Sequence, residues 1–104
     1  MASLATATVE RGWVQRVGAA EAGWQEDAVL RPGLLVRIVN ISATGVLLES
    51  PGRLRPGRGA ELQLTARDGD ARPLCAGRVT RCTVVGISPM VFRGAVAFDR
   101  PPQP

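Results

Sequence analysis

"GLLVRIVNISATGVLLES", residues 33–50, is two apolar runs broken at Asn40 to Gly45. Leu34 to Val39 is rich in residues that suit a pleated, half-buried surface, and Val46-Leu47-Leu48 resumes the pattern. The Asn, Ser and Gly between them are turn formers. The stretch therefore reads as strand, tight turn, strand. Asn40 and Ser42 stand two apart, so in an extended chain their side chains leave by one face. Val39 and Ile41 take the opposite face and suit the core. Gly45 is expected to supply a positive φ in the turn. An amide and a hydroxyl at a strand end can offer hydrogen bonds to a ligand. Equally, they can serve only the local backbone. From these residues alone both readings stand.

Outward from this stretch the chain continues in β. "DAVL" precedes a Pro32-Gly33 turn, and "PGRLRPGRG", residues 51–59, is a loop. "AELQLTA" alternates, with Leu62 and Leu64 inward and Glu61, Gln63 and Thr65 outward. Asp68-Gly69 marks a hairpin, and a long strand is expected over roughly 72–85. "GISPM" turns, and "VFRGAVAF" closes with Phe92, Gly94, Val96 and Phe98 on one face. Six strands at roughly 8–12-residue spacing predict an all-β sandwich or barrel, and closure into an antiparallel barrel removes exposed edges. Strict alternation in "CAGRVTRC" sets Arg81 on the side of Val79, so a bulge or a barrel rim is expected there. Cys75 and Cys82 are seven apart, which places them on opposite faces unless a bulge intervenes; both read as packing residues. "RPPQP" can neither continue a strand nor start a helix, so no long C-terminal helix is expected. The expected organisation is a loose tail over 1–9, an arm over 10–26 and the barrel over 27–100. Within the arm, a short helix around 18–22 and an extended chain with one turn are both open.

Composition narrows the function classes. The 104 residues suit one small domain, and 45% of them are hydrophobic, too many for a disordered chain. No stretch approaches the roughly 20 apolar residues of a membrane span. No signal peptide is evident, and a cytoplasmic protein is expected. His, Lys and Tyr are absent, so acid–base catalysis would fall to carboxylates, and none stand at an informative spacing. No catalytic residue is assigned, and no enzyme activity is expected. Two Cys without His make no zinc site, and no metal is expected. All 13 basic residues are Arg, against 9 acids, for a net charge of +4. Guanidinium suits bidentate contact with phosphate or guanine, so an anionic partner is favoured. Nucleic acid is not expected, because barrels that bind single strands stack bases on strand aromatics. The outward positions here carry Glu, Gln, Thr and Arg.

"NISATG" matches the [D/N]-x-S-x-x-G signature of the PilZ domain family, which the chain resembles over roughly residues 10–99. The likeness continues through "LRPGRGAELQL", the Asp68-Gly69 hairpin, "AGRVTRC" and "FRGAVAFD". The resemblance implies a six-stranded barrel with an N-terminal arm that binds cyclic di-GMP, a bacterial second messenger. It also implies an arginine cluster on the arm, for which "ERGWVQR", residues 10–16, is the candidate. Arg16 lies 24 positions before Asn40, and Arg11 takes the outermost arginine position; Gly12 stands where a closer arginine would be. The implied ligand-binding set is Arg11, Arg16, Asn40, Ser42 and Gly45, with Trp13 packing the arm or stacking on ligand. The implied output is contact with a protein partner in motility, pilus or polysaccharide machinery. The missing middle arginines keep a second reading open, a PilZ-like adaptor that binds protein without nucleotide.

Overall fold

Alternating apolar positions become six strands in the computed structural model, which describes residues 16–102. The 1–9 tail, Arg11 and Trp13 lie outside the described residues. The strands are β1 (Asp27–Leu30), β2 (Leu34–Ile41), β3 (Gly45–Ser50), β4 (Gly59–Gln63), β5 (Cys75–Ile87) and β6 (Met90–Phe98). Every pairing is antiparallel, in the order β1-β2-β3-β6-β5-β4. The pairs Val29↔Gln63 and Leu30↔Leu62 join β1 to β4 and close the barrel. Among the described residues there is no helix. None is therefore long and apolar enough to cross a membrane.

Single extra residues bend the strands so that the sheet can close. In β2, Ile38 pairs with Leu48 and Asn40 with Leu47, which leaves Val39 as the bulge. Val36, Ile38 and Ile41 are consequently all buried although their spacing changes from two to three. Val39, expected to share the core face with Ile41, is only half-buried. In β5, Val79 pairs with Val96 and Arg81 with Ala95, so Thr80 is the bulge. It turns Arg81 outward and brings Cys82 round to pack on the same core as buried Val79. The two cysteines, both free, thus end on the core side. β5 starts later than 72 because Pro73 has no N–H for a ladder. It runs past 85 because Ile87 pairs with Met90, which shortens the expected "GISPM" turn to Ser88-Pro89.

Side chains fill the barrel. Ile41, Val46, Leu48 and Leu62 are fully buried, each worth roughly 1.5–3 kcal/mol of transfer free energy. The two ends are stoppered. Trp24, buried, bridges to Ala66 just beyond β4, and Gln25 N donates to Thr65 O. It leaves the chain after a tight turn at 19–23, in which Trp24 N donates to Ala19 O at 2.8 Å. Around 18–22, that turn stands in place of the short helix. At the opposite end Leu54, from the β3–β4 connection, is buried against Gly94. Outside the barrel, Glu49 sits between its cross-strand neighbours Arg37 and Arg93, with Arg93 Nη2 2.6 Å from Glu49 Oε2. Such partly exposed pairs contribute about 0.2–1 kcal/mol each.

Two expectations follow. A Cβ on Gly77 would run into Ala97 O on the β6 backbone, whereas one on Gly94 would meet Leu54 Cδ1, the end of a flexible side chain, at 2.6 Å. Gly77→Ala should therefore destabilise by roughly 2 kcal/mol or more, and Gly94→Ala by less. Urea unfolding of the two variants compares them directly, and equal midpoints would contradict this account. Second, burial, helped by the Asp99 carboxylate, pushes the Cys75 thiol up to about 11 from an ordinary 9.0. The fold holds the proton that the unfolded chain releases. The contribution of Cys75 is then full below the unfolded value and is lost as pH rises through the folded one. Iodoacetamide should accordingly label Cys75 far more slowly in the folded protein than in urea at about pH 8, because only the thiolate reacts.

Candidate functional site

The turn after β2 is built by its own side chains. Ser42 N donates to Gly45 O at 2.8 Å and closes the loop. Ser42 Oγ accepts from Thr44 N at 3.3 Å, donates to Gly45 O at 3.4 Å and lies 3.2 Å from Thr44 Oγ1. Ser42 is 1% exposed, so its hydroxyl faces the turn and not solvent. The expectation that Asn40 and Ser42 share an outer face is thus corrected. β2 ends at Ile41, and the chain bends there to bury both Ile41 and Ser42. Thr44 was not singled out in the sequence, yet its carbonyl accepts from Phe98 N at 2.8 Å and ties the turn to β6.

Gly45 has a different reason from a positive φ, which it does not adopt. A Cβ there would lie 2.7 Å from Val96 O, so the close approach of β3 to β6 excludes any side chain. The same Cβ would be 3.6 Å from Arg16 Nη2, so the guanidinium rests over the bare glycine.

Arg16 arrives there by backbone pairing. Val17 N donates to Ile41 O at 2.9 Å and Ile41 N to Val17 O at 2.8 Å, an antiparallel bridge that continues the sheet onto the arm. The neighbouring Arg16 then donates from Nη1 to Asn40 Oδ1 at 3.1 Å. No carboxylate pairs with Arg16 among the described residues. Three of the five expected site residues, Arg16, Asn40 and Gly45, thus meet at one surface. Ser42 supports that surface from beneath, and Arg11 lies outside the described residues.

Chemically the surface offers an exposed guanidinium with N–H groups to spare, a side-chain amide and a backbone floor without side chain. Such a set suits a planar, anionic or guanine-bearing ligand. It holds no nucleophile with a base and, among the described residues, no group of three potential metal ligands. A concavity of about 310 Å³ between Pro73 to Ala76 and Asp99 to Pro102 lies apart from it, lined by none of Arg16, Asn40, Ser42 or Gly45.

The family model for the PilZ domain matches residues 21–104. The match takes in β1 to β6 and the Asn40 to Gly45 turn, and it begins after Arg16. No curated protein and no solved structure matches the chain.

Removing the hydroxyl from Ser42 should loosen the turn without opening the barrel. Ser42→Ala is expected to cost about 1 kcal/mol in denaturant unfolding, the worth of a buried hydrogen bond. Asn40→Ala, at a half-buried site with an exposed partner, should cost clearly less. The reverse ranking would show that the turn does not depend on Ser42.

Proposed function

The chain belongs to the PilZ domain family, a family of cyclic di-GMP receptor domains, and on that premise we propose that it is itself a receptor for this nucleotide. The observation that carries the reading is the Arg16–Asn40 hydrogen bond above Gly45. It joins an arginine from the arm to the turn that bears the family signature. Arg16 would fork onto a guanine edge or a phosphate, since its guanidinium is exposed and bound to no carboxylate among the described residues. Asn40 would orient it and hydrogen-bond the ligand. Gly45 would let the ligand approach the backbone. Ser42 would act through the turn, by holding Thr44 and Gly45 in place. Arg11 would close over the ligand from the outer part of the arm. The ligand is bound and not transformed, and no metal is called for. The receptor would work in the cytoplasm of a bacterium. Its output would be a change in contact with motility, pilus or polysaccharide machinery.

A second reading is favoured by two features. Gly12 stands where a further arginine would lie, and Ser42 spends its hydroxyl inside the turn. A chain so equipped would serve as an adaptor that binds a protein partner with or without nucleotide.

Isothermal titration with cyclic di-GMP separates the two. Heat of binding is expected, and Arg16→Ala should weaken it by about 1.5 kcal/mol or more, roughly tenfold, as for a lost charge-assisted hydrogen bond. A folded protein that gives no heat at high ligand concentration supports the adaptor instead. An unchanged dissociation constant in Arg16→Ala removes that residue from the site.

A further inference from the structure

At the barrel end stoppered by Leu54, the charged side chains that line one concavity are all arginines. The connection from β3 to β4 crosses this end, and Leu54 turns inward from it while its neighbours Arg53 and Arg55 stay exposed. Arg58 and Arg31 are exposed beside them. These four arginines line a concavity of about 260 Å³ with Leu54 and Val79, and among the described residues no carboxylate shares its lining. None of the four makes an ion pair among the described residues, whereas Arg37, Arg72 and Arg93 all do. Two carboxylates, Glu61 and Asp99, line an adjoining concavity with Arg31 and Arg78. Arg78 is already committed to the loop, donating from Nη1 to Gly57 O at 2.5 Å.

Charge and shape restrict the occupant. Four unpaired guanidiniums repel one another and attract an anion, and each can take a carboxylate or phosphate in a two-pronged contact. The space is below the roughly 300–1,000 Å³ typical of small-molecule pockets, so it suits anionic side groups and not a whole dinucleotide. Among the described residues no aromatic side chain lines it, so bases would find no stacking platform there. The strand beside it supplies the rest. Gly57 N donates to Val79 O, and Val79 N to Arg58 O, which ends the pairing on the outer side of β5. From Arg81 to Ile87 that side has no strand partner among the described residues, and Val84, Val85 and Ile87 are exposed along it. Such an edge accepts an extended chain by main-chain hydrogen bonds.

We propose that this end of the barrel docks an extended acidic segment of a partner protein, with carboxylates at Arg31, Arg53, Arg55 and Arg58 and backbone along the outer edge of β5. The site is independent of nucleotide binding at the Arg16 end.

The test uses the full chain and a fluorescent peptide of alternating Glu and Val, with oligothymidylate as the competing polyanion. Peptide binding is expected to weaken roughly tenfold or more in Arg53→Gln/Arg55→Gln/Arg58→Gln, through loss of charge-assisted contacts. Arg67→Gln/Arg100→Gln, which removes equal charge per residue elsewhere, should change it by no more than about twofold, a general screening effect. Amide exchange at Arg81 to Ile87 should slow when peptide is added. The single variant Arg55→Gln, checked by circular dichroism, guards against misfolding of the triple and should weaken binding in the same direction. Equal losses in the two multiple variants would overturn the proposal. So would oligothymidylate binding tighter than peptide through the same arginines, or unchanged exchange along β5.

Discussion

A six-stranded sheet closes on itself only if its strands bend, and here the bending is supplied by three unpaired residues. Val39, Thr80 and Val85 are each one residue more than the neighbouring ladder accommodates. Everything inside the barrel depends on the phase changes they introduce. The bulge at Val39 lets Ile38 and Ile41 both face the core, and it leaves Asn40 at the rim beside Arg16. The bulge at Thr80 keeps the charge of Arg81 out of the interior and returns Cys82 to it. Without the slip, β5 would have had to bury a guanidinium or expose its core residues. The first is among the costliest changes a small core can suffer.

The two ends of the barrel are made differently. At one end Trp24 fills the opening, and the arm is sewn to β2 by the Val17–Ile41 bridge. This places a single arginine over a bare glycine, held by an amide. At the other end Leu54 fills the opening, and the arginines on either side of it are left to solvent. A hydrophobic plug in each case lets adjacent polar residues sit at a rim whose backbone is hydrogen-bonded to the barrel. Polar groups so placed lose little freedom when they meet a ligand or partner.

Much of this was legible along the chain. The strand count, the order of the turns, the inward Leu62 and Leu64, and the "NISATG" turn all follow from local periodicity and turn chemistry. The irregularity at Arg81 also showed itself, because a charge out of phase in an apolar alternation has few structural solutions. Arg16 and Asn40 could be paired in advance only through the family resemblance, and their contact comes from a bridge between residues 24 apart in sequence. The roles of Ser42 and Gly45 were read less well. Ser42 looked outward on simple alternation, but the chain turns inward just past Ile41. Gly45 looked like a turn glycine, but the approach of β6 is what excludes a side chain.

The sequence by itself therefore determined which residues form strands, where the chain reverses and which family signature it carries, since each is written in neighbours a few positions apart. Closure of the barrel set the slip at Val39, the face that Ser42 takes, what lies over Gly45 and which arginines gather around Leu54. Those outcomes depend on cross-strand register and on the curvature that closure imposes. Both are properties of strands brought together, and no local pattern encodes them.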